Sequence, residues 1–112
     1  VYSVEYILPL LQKADGIFKA MGSQIHLFHG DGTLGLPSHA PFDAIVVTAG
    51  APSVPETYIK QLKVGGKLVI PVGDQSDEQK MMRITKVSAN QTKTEILQDC
   101  KFVPLKGTLG WK

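Results

Sequence analysis

Four consecutive apolar residues, Ala44-Ile45-Val46-Val47, follow Pro41-Phe42-Asp43 with no polar alternation and give way at once to Thr48-Ala49-Gly50-Ala51-Pro52. An unbroken, β-branched run of this length suits a strand buried on both faces, as in a parallel sheet covered by helices. Ligands of open parallel α/β sheets lie at the carboxyl ends of strands. The small-residue stretch 48–52 is therefore where a substrate is expected, and the rest of the chain reads as supplying neighbours to this strand.

Residues 1–5 form a short β-prone run ending in Glu5. From Tyr6 to Met21, Ile7, Leu10, Leu11, Ala14, Ile17 or Phe18, and Met21 recur at three- and four-residue spacing, which predicts a helix with one apolar face. Pro9 suits its first turn and Gly22 a left-handed cap at its end. Ile25, Leu27 and His29 alternate with Gln24, His26 and Phe28 as a weaker strand that ends in Gly30-Asp31-Gly32. A Pro- and Gly-rich connection, 33–41, leads to the apolar strand. Beyond it, Pro55 is expected in the first turn of a short helix carrying Tyr58, Ile59 and Leu62, which Gly65-Gly66 stops before a second continuous strand, 67–72. This alternation predicts a doubly wound parallel α/β sheet. Residues 80–87 and 92–97 flank Ser88-Ala89-Asn90-Gln91 and read as an antiparallel hairpin. Residues 102–105 form a strand-like segment whose Pro104 suits an edge or a strand end. The tail 106–112, with Trp111, lacks periodicity and is expected to be disordered.

A chain of 112 residues has room for one domain and one core. Twelve basic against ten acidic residues leave a formal charge of +2, too little for a nucleic-acid or polyanion surface. The single cysteine, Cys100, excludes an internal disulfide and fits a reducing, cytoplasmic setting. Apolar runs fall far short of the ~18 residues that span a bilayer, and no signal-peptide pattern opens the chain. Because residues 1–5 already read as a complete strand, the chain is expected to be a fragment that begins in mid-domain.

Glu5, between a strand and a helix, is placed as the acids of nucleoside-binding α/β folds are, where a carboxylate accepts from two ribose hydroxyls. It equally suits a solvated acid at a helix N-terminus. Asp31 sits between glycines that permit close approach of a flat ligand and unusual backbone angles, with a carboxylate able to accept from an exocyclic amine. Gly-Asp-Gly is also an ordinary turn. Thr48 either donates to a ligand or satisfies the strand end. His26, His29 and His39 lack metal-ligand spacing with Cys or acid partners, so no metal is expected. Cys100 has only Lys101 beside it and reads as an inert thiol.

Taken together, GDGTLGLPSHAPFDAIVVTAGAPSVPETYIKQLKVGGKLVIPVGD and the later KFVPLKG resemble the carboxyl-terminal portion of the protein-L-isoaspartate O-methyltransferase family. The resemblance implies that residues 1–112 are part of a Rossmann-like S-adenosylmethionine-dependent methyltransferase domain. It would esterify the free carboxylate of L-isoaspartyl, and less well D-aspartyl, residues in damaged proteins. It further implies that Glu5 holds the cofactor ribose, that Asp31 and Gly32 meet the adenine, and that Thr48 and Ala49 complete the cofactor side. Gly50, Ala51, Pro52 and Val54 would face the substrate; family members often carry alanine where Gly50 stands. No catalytic acid or base is expected, since the accepting carboxylate is already ionised at neutral pH.

The family's glycine-rich cofactor loop and its serine-containing substrate motif have no counterpart in this sequence. The strand preceding that loop would lie between residues 1–5 and 44–47. The expected sheet thus lacks its first, central strand, which leaves two edges open to self-association and the fragment inactive by itself. Two other readings stand beside this one. A different Rossmann-type methyltransferase or a nicotinamide-dependent enzyme would share the acid after the first strand, and a non-catalytic binding or oligomerisation module would need no cofactor.

Overall fold

The computed structural model describes residues 2–5, 7–22, 26–73 and 79–111. The expectations for Val1, Tyr6, Gln24, Ile25 and Lys112 fall outside them. The chain divides into two compact units, Val1–Gly32 and Thr33–Lys112.

The first unit contains strand β1 (Tyr2–Glu5), helix α1 (Leu8–Met21) and strand β2 (His26–His29). β1 and β2 pair in parallel, Tyr2 opposite His26 and Glu5 opposite His29. Pro9 lies in the first turn of α1, and Gly22 (φ 72°) closes the helix with its N–H on the Lys19 carbonyl at 3.1 Å. Part of the apolar face departs from expectation: Leu10, Ile17 and Met21 are 52%, 49% and 71% exposed, whereas Ala14 is half-buried and the side chains of Leu11 and Phe18 lie outside those described. Fourteen helical residues extend roughly 21 Å, whereas two four-residue strands offer a ribbon only about 13 Å long. The ribbon is too small to cover the helix.

The second unit contains a 3₁₀ turn (Gly32–Leu34, entered from the first unit), β3 (Phe42–Val46), α2 (Glu56–Gln61), β4 (Leu62–Val72), β5 (Gln79–Ser88) and β6 (Gln91–Cys100). Its sheet runs in the order β3-β4-β5-β6, parallel between β3 and β4 and antiparallel thereafter. The described strands thus form two sheets, and β1 and β3, the neighbours expected for a central strand, each have one ladder partner among the described strands. Being at an edge also changes β3 itself. Asp43 and Ala44 are exposed and Val46 is 69% exposed, so the strand is not buried on both faces; only Val47, just beyond it, is buried.

β4 starts at Leu62 rather than Lys67, and Gly65-Gly66 lie inside it. The register jumps from Phe42 opposite Leu62 to Ala44 opposite Lys67, so residues 63–66 bulge out of the ladder with Gly65 at φ 87°. A Cβ on Gly66 would stand 2.8 Å from the Lys63 carbonyl oxygen and 3.0 Å from that of Asp43, so this close passage admits only glycine. Pro55 precedes α2 as its N-cap residue (φ −64°, ψ 130°) instead of entering its first turn. Behind it, Tyr58 and Gln61 turn inward.

Val47, Ala51, Tyr58, Leu62, Leu68, Ile70 and Ile84 form the buried core, with Ile45, Val54, Ile59, Val72, Met82 and Leu105 packed against it. β4 supplies its centre, since Leu68 and Ile70 are fully buried, each stabilising by about 1.5–3 kcal/mol. The hairpin is longer than its sequence signal and turns through Ala89-Asn90, with Val87 bulged where Lys86 faces Thr92 and Ser88 faces Gln91. Two cross-strand ion pairs tie it: Lys80 to Asp99, and Arg83 Nη2 to Glu95 Oε2 at 2.8 Å. The hydrogen bond from Arg83 holds the Glu95 carboxyl below its ordinary range despite partial dehydration, and Glu95 in turn raises Arg83.

Candidate functional site

In the first unit the two acids follow adjacent parallel strands. Glu5 closes β1 opposite His29, the last residue of β2, and Asp31 lies two residues further on. Both therefore stand at the carboxyl ends of the ribbon, whose parallel strands are joined through α1 as in a βαβ crossover. Asp31 is half-buried. At Gly30 the position of a Cβ has no heavy atom within 4 Å, while at Gly32 it would meet only Val4, at 3.8 Å. Gly22 is the sole positive-φ residue described in this unit, so the pair flanking Asp31 provides open space rather than unusual backbone angles. His26, for which no ligand role was expected, stacks on Tyr2 with ring centroids 5.3 Å apart.

Residues 48–54 follow β3 in the second unit. Thr48 and Pro52 are exposed, Ala49 and Val54 half-buried, Gly50 and Ala51 buried. The backbone of the central pair is threaded between two other segments. Ala51 N–H donates to Pro71 O at 2.9 Å and its carbonyl accepts from Gly73 N at 2.9 Å, continuing the β3–β4 ladder. On the other side Gly50 N–H donates to Val103 O at 2.7 Å and Gly50 O accepts from Leu105 N at 2.8 Å. Both amide hydrogens are committed inside the fold. What this stretch presents outward is Thr48, Pro52 and Ser53, with parts of Ala49 and Val54.

Several polar residues with no motif of their own shape this region. Gln79, 2% exposed, accepts from Phe102 N through Oε1 at 2.7 Å. Gln61 holds the connection before β3, accepting from Leu36 N at 2.9 Å and donating to Leu34 O at 3.1 Å. Thr33, fully buried, receives the Thr57 hydroxyl on its carbonyl at 2.6 Å and Leu109 N on its hydroxyl at 3.2 Å. Trp111, far from disordered, donates its indole N–H to Gly50 O at 3.0 Å. Sequence reasoning missed them because glutamine at a strand start and tryptophan in an aperiodic tail carry no periodic signal; only the proline-containing FVPL run hinted that the tail returns to the sheet.

Among the described residues, no group of three His, Cys, Asp or Glu side chains could hold a metal ion, and no helix is long and apolar enough to cross a membrane.

The family model of Protein-L-isoaspartate(D-aspartate) O-methyltransferase matches residues 1–110. Among curated relatives, Protein-L-isoaspartate O-methyltransferase 2 of Geotalea uraniireducens is 53% identical over 112 residues, covering 99% of this chain and 51% of its own. A protein of the same name from Pelobacter propionicus is 48% identical, with 99% and 50% covered. A solved protein-L-isoaspartate O-methyltransferase superposes with a TM-score of 0.88 at 31% identity, covering 98% of this chain and 35% of that one. A Plasmodium falciparum structure assigned to the same activity, in complex with S-adenosyl-L-homocysteine, gives a TM-score of 0.79 at 26% identity, with 95% and 52% covered. The chain spans about half the length of the curated relatives it matches.

Proposed function

Because the chain belongs to the protein-L-isoaspartate(D-aspartate) O-methyltransferase family, we propose that it forms part of a domain transferring a methyl group from S-adenosylmethionine to the carboxylate of L-isoaspartyl, and less well D-aspartyl, residues. The observation that carries this reading is the pair of acids at the carboxyl ends of parallel β1 and β2, within a chain matched by the family along residues 1–110.

The residues present fit the cofactor. Two carboxylates at neighbouring strand ends are acceptors for ribose hydroxyls and an exocyclic amine, and the open space at Gly30 leaves room for a flat ring beside Asp31. Glu5 would hold the ribose, Asp31 and Gly32 the adenine, with Thr48 and Ala49 on the donor side. When bound, S-adenosylmethionine supplies an electrophilic methyl group on its sulfonium. Substrate would lie against Gly50, Ala51, Pro52 and Val54. An isoaspartyl carboxylate is ionised at neutral pH and needs no proton removed. Consistently, Thr48-Ala49-Gly50-Ala51-Pro52 contains no acid–base pair, and this chain's contribution is orientation and exclusion of water.

The inferred partners are isoaspartyl-containing proteins and peptides in the cytoplasm, with neither nucleic acid nor membrane. A second copy could pair along the outer edge of β3, beside the exposed Val46, and sedimentation would detect it. The test of cofactor binding is calorimetric titration of the 112-residue chain with S-adenosylhomocysteine. Saturable binding weakened about 10-fold or more by Glu5→Gln and by Asp31→Asn is expected, since hydrogen bonds to charged groups contribute roughly 1.5–3 kcal/mol. Binding indifferent to both substitutions would overturn the assignment of the two acids, and no binding at all would remove the cofactor role from this chain.

A further inference from the structure

We propose that Trp111, in the tail, and Gln79, at the start of β5, are positioning residues which latch Gly50, and with it the substrate stretch 48–54. The proposal rests on the reading above for its function, but its geometry stands independently. Gly50 O accepts from Leu105 N at 2.8 Å and from Trp111 Nε1 at 3.0 Å. A carbonyl oxygen has two lone pairs, so these donors saturate it, while Gly50 N–H is taken by Val103 O. On the remaining side a Cβ would stand 2.8 Å from Cδ and Nε2 of Gln79. That side chain is buried and anchored by Phe102 N–H, so moving it aside would disturb that hydrogen bond. Gly50 has no positive φ; in this chain a Cβ there is opposed by the Gln79 side chain and not by backbone angle.

The latch is itself braced. Trp111 N–H donates to Leu105 O at 2.7 Å, Trp111 O accepts from Gly107 N at 3.2 Å, and Gly110 passes so close that a Cβ would fall 2.4 Å from Leu105 O. The indole is thus held before any ligand arrives. Where a reaction depends on placing a carboxylate rather than on acid–base chemistry, a displacement of about 1 Å can cost on the order of 100-fold. The path of residues 48–54 is then the quantity to be controlled, and two side chains from outside that stretch control it.

The chain has one tryptophan, so its indole proton is a single, assignable NMR signal. Slow exchange of that proton is expected. Trp111→Phe keeps a ring and removes the donor; the Gly50 and Leu105 amides should exchange about 2- to 12-fold faster, the effect of one neutral hydrogen bond, with the Leu68 and Ile84 amides unchanged. Affinity for an isoaspartyl peptide should fall similarly while that for S-adenosylhomocysteine stays within about twofold, a split that general loosening would not produce. Gly50→Ala should weaken peptide binding by displacing Gln79, and adding Gln79→Ala should restore part of it. A rapidly exchanging indole proton overturns the latch, as does a peptide affinity indifferent to both Trp111→Phe and Gly50→Ala. If the unaltered chain binds neither ligand, the functional reading fails, and the exchange rates alone then decide for or against the latch.

Discussion

Residues Val1–Gly32 and Thr33–Lys112 are both built from parallel strands joined by a helix, yet every buried side chain described lies in the second. The first presents Leu10, Ile17 and Met21 to solvent from a helix that covers a two-stranded ribbon. The second adds an antiparallel hairpin to its parallel pair, which places β4 between neighbours and buries Leu68 and Ile70 completely. A parallel pair with its crossover helix makes an edge, where Glu5 and Asp31 stand, but not a core. Stability comes from the strand that has partners on both sides.

The widest separation between the units should appear on truncation. Leu68→Ala is expected to cost about 2–5 kcal/mol in urea denaturation, while Met21→Ala should change stability by no more than ~0.5 kcal/mol. Equal losses would mean that α1 has a packing partner its exposure does not reveal. Next come the glycines. Gly66→Ala drives a Cβ against two carbonyl oxygens and should cost about 1–3 kcal/mol. Gly16→Ala, in α1 with open space around it, should gain about 0.4–1 kcal/mol. Opposite signs for the same chemical change in the two units would sharpen the contrast; matching signs would break it.

The smallest effect belongs to the hairpin pair Arg83–Glu95, both about one-third exposed. Glu95 titrates below its ordinary range when folded. Its contribution is therefore fully present above the unfolded glutamate value of about 4.3 and is lost as pH falls through the lower folded value. Chemical denaturation from neutral to acid pH should show a slightly shallower decline for Glu95→Gln than for the unaltered chain. An unchanged profile would assign the pair no net role, as for many exposed ion pairs.

Much of the architecture was legible in the sequence because it is periodic or local. Helical spacing and Gly22 located α1 to within two residues of its start, the unbroken apolar runs located β3 and the second half of β4, and the β-prone segments around Ala89-Asn90 located the hairpin. Burial of β3 was misjudged because an apolar run reports what a strand could bury, whereas exposure depends on which neighbours pair with it. The strand character of Gly65-Gly66 was likewise hidden, since a paired glycine signals a turn unless the ladder on either side of it is known.

By itself the sequence determined the order of elements, the family, and two acids placed after consecutive strands, since each is written in contiguous residues. Tertiary structure alone decided that Gly50 is where the start of β5 and residues 103–111 meet. Trp111 reaches it across 61 positions, and Gln79, at the start of β5, fills the place its Cβ would take. A hydrogen bond between segments so distant leaves no period in the chain, and a missing Cβ shows its purpose only when another side chain is seen to occupy its place.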